Sequence, residues 1–168
     1  MVMIIIVSVG LPGSGKSLVS DVAQSMGIRT VSMGDAVRRY YGHSDKKETI
    51  GEFADSERQR YGKAVWAERT MEGVDDDIIL VDGCRSPDEL DVLRSYGRVI
   101  VISVRALSQN RYDRLVSRSR DDSPRSMAEF DVRDRREMEY GVESLMDMSD
   151  FVITTTELQN RHWPRRRG

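Results

Sequence analysis

Eight consecutive residues carry the strongest chemical signal in the chain: Gly10, Leu11, Pro12, Gly13, Ser14, Gly15, Lys16 and Ser17. They satisfy the pattern G-x-x-x-x-G-K-[ST] in full. Glycines let successive backbone N–H groups turn inward as a concave nest for phosphate oxygens. A helix that begins where the loop ends aims its positive end at the same charge. Lys16 is then placed to reach β- and γ-phosphates, and Ser17 to offer its hydroxyl to Mg2+. The expected donor contacts run from Gly10 to Leu18, with ATP and Mg2+ as the cofactors. A glycine-rich turn with a chance lysine is the competing explanation. The apolar run before the loop and the helical pattern after it argue against that.

Asp82 is the second chemical candidate. It closes the apolar run Ile78-Ile79-Leu80-Val81. A carboxylate at the C-terminal end of a buried strand is well placed to act on Mg2+ beside Ser17. Capping the turn before Gly83 is the alternative. Asp35 and Arg38 lie one helical turn apart and so share a face.

These residues need a scaffold, and the apolar pattern supplies one. Residues 3–9 form a continuous, mostly β-branched run, as in a central strand covered on both faces. Residues 16–26 read as a helix, with Leu18, Val19, Val22 and Met26 spaced to face a sheet. Further strands are expected at 28–32, 78–81, 99–104 and 150–154. Helices are expected at 34–41, 108–118 and 127–148, with two helices or one bent one over 49–71. Ser86-Pro87-Asp88-Glu89 is a helix start, with a cap residue, proline at the first helical position and glutamate three residues after the cap. A last short helix and a basic tail follow at the C-terminus. Strands alternating with helices predict an α/β fold: three layers around a five-stranded parallel sheet.

The 168 residues suit one domain. With 39% apolar residues the chain can build a core, and neither disorder nor a membrane protein is indicated. The run at 2–9 lacks a positive n-region and a cleavage site, so it reads as a strand and not as a secretory signal. No stretch approaches the length of a bilayer span. The single cysteine, Cys84, excludes internal disulfides and a cysteine zinc cluster. A reducing, cytoplasmic setting is expected. His43 and His162 have no partners arranged as a metal site or triad. Net charge is −2, and the basic residues are mostly arginine, dense between Arg105 and Arg136 and interleaved there with carboxylates. Such a segment is a poor general nucleic-acid surface but can grip phosphates with planar forks. Ion pairs on a solvated helix face are the alternative use of these arginines.

With the loop placed, the chain resembles the adenylate-kinase-like nucleoside monophosphate kinases. More closely it resembles an archaeal family of small, adenylate-kinase-related nucleotide kinases. The resemblance is carried by the phosphate loop, by Ser32-Met33-Gly34-Asp35 and by Asp82-Gly83-Cys84-Arg85. Ser149-Asp150-Phe151-Val152-Ile153 is also similar to the last strand of dephospho-coenzyme-A kinases. The resemblance implies that Asp82 holds Mg2+ through water. It implies that Arg85 and Arg38 grip the acceptor phosphate and that Asp35 lies near the acceptor. The arginine of Asp-Gly-Cys-Arg sits one residue closer than in the adenylate-kinase pattern. A surface ion pair is the other reading of Arg85, a surface arginine of Arg38, and a helix cap of Asp35.

Related kinases place arginines on both sides of a mobile lid, and arginines closing on a transferring phosphoryl group stabilise its charge. The polar break at 120–124 fits a very short lid, without cysteines and so without a zinc staple. Its candidates are Arg118, Arg120, Arg133 and Arg136, with Lys16, Arg85, Arg120 and Arg133 forming the expected catalytic set. The expected organisation is a single P-loop kinase-like domain over 1–168. An acceptor-side helical insertion is expected at about 35–74 and a lid region at about 118–136.

The expected function is ATP-dependent phosphoryl transfer to a small, phosphorylated acceptor such as a nucleoside monophosphate. One alternative is dephospho-coenzyme-A kinase, although no asparagine follows the last strand before Asn160. The other is an ATP-binding regulatory or assembly ATPase acting on RNA, ribosomal or protein partners. The charged stretch at 46–69 and the tail Arg165-Arg166-Arg167 are the features that would serve it.

Overall fold

The computed structural model describes residues 2–45, 47–119 and 123–155. Strands β1 (Met3–Val9), β2 (Arg29–Ser32), β3 (Ile78–Asp82), β4 (Gly97–Arg105) and β5 (Phe151–Thr154) form one sheet. All pairings are parallel and the order is β2-β3-β1-β4-β5. The most apolar strand therefore sits in the centre. Strand order reverses at β1, and in open α/β sheets the crevice outside the C-terminal strand ends at such a reversal is where ligands bind. The phosphate loop leaves β1 at that point.

The helices are α1 (Ser17–Ser25), α2 (Met33–Gly42), α3 (Ile50–Tyr61), α4 (Val65–Met71), α5 (Pro87–Tyr96), α6 (Ser108–Ser117), α7 (Met127–Tyr140) and α8 (Val142–Asp147). Alternate residues of the central strands, Ile5, Val7, Val9, Ile79, Val81 and Val101, point to one layer. There they pack with Ala67 and Met71 of α4, Leu90 and Leu93 of α5, and Leu145 of α8. Strand residues of the other parity face α1, which packs on β2 and β3. The result is the three-layer α/β/α architecture of P-loop NTPases. A second cluster joins Ala36 and Val37 of α2, Phe53 and Ala54 of α3, and Val65 and Trp66 of α4. Trp66 is fully buried, and its indole N–H donates to the Ala54 carbonyl at 3.1 Å. No helix among the described residues is long and apolar enough to cross a membrane.

Two helical expectations change. The apolar set Leu18, Val22 and Met26 does not face the sheet: Val22 is 54% and Met26 70% exposed, while Ala23 is buried and Val19 half-buried. The packed face is turned by one residue, about 100° of helix rotation, and the small Ala23 makes the contact. The expected long helix at 127–148 is two helices. Gly141 ends α7 in the left-handed region at φ 104°, and a Cβ there would stand 2.9 Å from Pro87 Cδ. This close approach seats Val142 and Leu145 against the sheet, and both are buried. The break within 49–71 falls at Gly62.

Candidate phosphate-transfer site

The phosphate loop closes on itself: Ser14 N–H donates to Leu11 O at 3.1 Å, and Leu18 N–H to Gly15 O at 3.0 Å. Gly13 stands at φ 78°, and a Cβ there would lie 2.5 Å from the Arg111 carbonyl. Only glycine fits this turn against α6. Lys16 folds back over the loop, its ammonium donating to Gly10 O at 2.7 Å and Leu11 O at 3.2 Å.

Three carbonyls in a row are held from outside the loop. Arg111 Nη1 donates to Pro12 O at 3.2 Å. Arg114 Nη1, one turn along α6, donates to Gly13 O and Ser14 O, each at 3.2 Å. Thr155, directly after β5, donates its hydroxyl to Ser14 O at 2.6 Å and accepts from Arg114 Nη1 at 2.9 Å. Pinning carbonyls outward leaves the N–H side of the loop free for an anion. Ser14 Oγ and Arg114 Nη2 are buried without a partner among the described residues.

The electrostatic setting brings several elements to Lys16. Burial lowers its pKa to about 8, against the opposing fields of Asp82 and Glu137 and with help from Arg85 and Arg118. Asp82 lies opposite Ser8 in the β1–β3 pairing and accepts its hydroxyl at 3.0 Å. Ser17 is exposed at the start of α1. Among the described residues no three His, Cys, Asp or Glu side chains cluster as a metal cage. Mg2+ at a nucleotide site takes much of its shell from phosphates and water, so Ser17 with one water-linked carboxylate fits that ion.

Arg85 lies on the loop after β3. Its backbone N–H donates to Glu89 Oε2 at 2.7 Å, and its Nε lies 3.1 Å from Glu137 Oε2. Glu137 is the main influence that raises the Arg85 pKa. Glu89 is fully buried at the start of α5, and burial raises its pKa against the pull of Arg58, 3.3 Å away. Arg58 stacks on the Tyr140 ring at 4.5 Å, and the Tyr140 hydroxyl donates to Asp55. Burial, then that hydrogen bond, push the Tyr140 pKa up to about 12.

The structure thus groups Lys16, Asp82 and Arg85. Asp35 and Arg38 do share a face of α2 and pair with each other there, both exposed. The cap of α2 is the Ser32 side chain, which accepts from Asp35 N–H at 3.3 Å. The first turn of α2 abuts the Asp82–Arg85 loop: Gly34 N would lie 3.8 Å from a Cβ at Gly83, and the Arg38 guanidinium folds over Gly34. Arg133 is half-buried on α7. Arg118 caps the C-terminus of α6, and its charge acts on Lys16. Arg120 lies outside the described residues, as do Asn160, His162 and the arginine tail. Cys84 is buried and its thiol pKa is raised by burial, so it is an inert loop residue.

Sequence reading missed the sites of Arg111, Arg114 and Glu137. The spacing of Arg111 and Arg114 shows a shared helix face, but nothing local shows that it meets the phosphate loop. Glu137 carries no motif at all.

Comparison with known proteins places this geometry in a family. The model of an AAA domain matches residues 5–140. A UPF0200 protein of Thermoplasma volcanium is 35% identical over 157 residues, covering 90% of this chain and 88% of the relative. One from Methanothermobacter thermautotrophicus is 37% identical over 158 residues, covering 91% and 82%. Among solved structures, TT1252 from Thermus thermophilus aligns with a TM-score of 0.61 at 18% identity, covering 93% of this chain and 90% of that one. Shikimate kinase from Acinetobacter baumannii aligns with a TM-score of 0.64 at 15% identity, covering 94% and 86%. These structural likenesses show a P-loop kinase-like fold. They do not single out the adenylate-kinase group within it. By the extent and level of its sequence match, the chain belongs to the archaeal-dominated UPF0200 family of P-loop proteins.

Proposed function

We propose that this protein transfers a phosphoryl group from ATP to a small phosphorylated acceptor, with nucleoside monophosphates the first class to test. The observation that carries the reading is the shared charge cluster at Lys16. Asp82 and Arg85, from the loop after β3, act on the same ammonium that lies over the phosphate loop. A second cation beside that ammonium is a group with which an acceptor phosphate can pair.

In this reading residues from Gly10 to Leu18 hold the donor. Lys16 leaves the carbonyls of Gly10 and Leu11 and pairs with the β- and γ-phosphates. Ser17 and Asp82 would hold Mg2+, Asp82 through water. That ion supplies charge neutralisation on the phosphate oxygens. Arg85 and Arg38, with Asp35 beside them, take the acceptor side. Arg133 belongs to the flank of a lid that excludes water and aligns the two substrates. A phosphate oxygen is already ionised as nucleophile, so no strong general base is required. This favours a phosphorylated acceptor over a plain hydroxyl.

The test is ADP release, screened against monophosphates, nucleosides and dephospho-coenzyme A, with Lys16→Ala as background. At least one phosphorylated acceptor should raise turnover by about tenfold or more, roughly 1.4 kcal/mol off the barrier. Stimulation by dephospho-coenzyme A alone, or only by an RNA or protein partner, would overturn the proposal in favour of those activities.

A further inference from the structure

Glu137 is out of place in a site that must collect phosphates. It is 8% exposed on α7, its carboxylate lies 3.1 Å from Arg85 Nε, and its charge reaches Lys16. A fixed carboxylate there opposes every anion that approaches either cation.

Holding the Arg85 loop does not require it. The Arg85 backbone is tied to the Glu89 carboxylate at 2.7 Å, and Glu89 is itself fixed: its backbone N–H donates to Ser86 Oγ and its carboxylate also accepts from Arg58. The loop is anchored on the α5 side, whereas Glu137 reaches only the head group of Arg85. Glu137 also lies midway along one stripe of α7. Asp134, one turn before it, pairs with Arg111, and Tyr140, one turn after it, bonds to Asp55. The neighbouring turns of α7 are therefore fixed to α6 and α3, and the carboxylate is presented to Arg85 from a rigid helix.

We propose that the Glu137 carboxylate occupies the anion seat of Arg85 until an acceptor phosphate displaces it, and that this exchange sets acceptor specificity. The proposal rests on the reading of Arg85 as an acceptor-side residue. A tethered carboxylate competes at high effective concentration. A free monocarboxylate brings the same charge and the same planar geometry, so it gains nothing by replacing it. A neutral acceptor cannot replace it at all. A phosphate dianion brings Arg85 a second charge and a third oxygen that no carboxylate has, and so it displaces Glu137. Glu137 is thus a specificity-determining residue that selects phosphate over carboxylate at Arg85.

The experiment is calorimetric titration of the full chain, without nucleotide, with inorganic phosphate and separately with acetate at constant ionic strength. Wild type is compared with Glu137→Gln, Arg85→Met and the double variant. Glu137→Gln should bind phosphate about tenfold tighter than wild type. It should also bind acetate measurably, so that its preference for phosphate falls. The phosphate gain should vanish when Arg85→Met is added. A gain that survives Arg85→Met places the effect at the phosphate loop and overturns the proposal, as does the absence of any gain. Should the variants lose their fold, the Arg85 side-chain N–H resonance of wild type gives the answer. It must shift on phosphate saturation, and a resonance that stays still sinks the idea. These readouts need no kinase activity, so a screen that finds no acceptor would remove the functional reading and leave this titration to judge Glu137 by itself.

Discussion

Arg111 and Asp134 form a two-point ion pair inside the protein, with Nη1–Oδ1 at 2.8 Å and Nη2–Oδ2 at 2.5 Å. Arg111 is 3% and Asp134 8% exposed. The same guanidinium holds the Pro12 carbonyl and lies over the Phe130 ring at 4.8 Å. One side chain therefore joins the phosphate loop, α6 and α7. Removing one partner of a buried pair strands the other charge, whereas replacing both with apolar groups removes the problem. Arg111→Met should cost about 3–5 kcal/mol. Adding Asp134→Leu should recover most of it. Denaturant unfolding of the two variants decides, and a double variant no more stable than the single one would contradict the argument.

Arg114 differs because it is half-buried and its bonds go to the loop itself. Its loss should weaken donor binding more than folding. Charge-assisted hydrogen bonds contribute about 1.5–3 kcal/mol each, so Arg114→Met should weaken ATP binding by roughly 10- to 100-fold. Thr155→Val removes a neutral bond to Ser14 O and should cost about 1 kcal/mol, roughly fivefold. Equilibrium binding of ATP to both variants checks the ranking. Equal losses, or none, would show that outward pinning of the carbonyls does not shape the nest.

The fold was legible because its signals are local. The β-branched run of β1, the Ser86 cap and the loop glycines each act within a few residues of themselves. The place of the loop between β1 and α1, and of Asp82 at the end of β3, was legible for the same reason. The remainder depends on distant pairs. Glu137 lies 52 residues from Arg85, counting from 85 to 137, and only tertiary packing brings them together. The misread face of α1 is a tertiary effect too. Its apolar spacing was equally good for Leu18-Val22-Met26, but small Ala23 lets the helix approach the sheet more closely. Gly141 carried a helix-stop signal that a continuous apolar pattern on both sides obscured.

Asp82 is tied to Ser8 at 3.0 Å and lies within the field of Lys16. A water-linked carboxylate acts on the ion's outer shell, where substitutions cost about 10- to 100-fold in metal affinity or activity. Asp82→Asn keeps the shape and the bond from Ser8. It should therefore raise the Mg2+ concentration needed for half-maximal turnover by that factor. A variant whose Mg2+ dependence matches wild type would assign Asp82 to the turn alone.

Lys16 gives the pH dependence. Its ammonium binds phosphates only when charged, and burial brings its pKa to about 8 in the unliganded protein. Below that value the cation is present. As pH rises through it the proton is lost and the loop loses its charge. Bound triphosphate stabilises the ammonium and lifts the pKa, so the bound enzyme keeps its proton. The profile of kcat/KM for ATP should thus fall above pH of about 8, by about one decade per pH unit, while kcat stays level through the same range. Arginine at position 16 stays charged throughout, so Lys16→Arg should bind ATP without that decline even where turnover is lost. A wild-type profile flat to pH of about 10 would mean that Lys16 is not desolvated in the free protein. In that case its bonds to Gly10 and Leu11 would not describe the state that meets ATP.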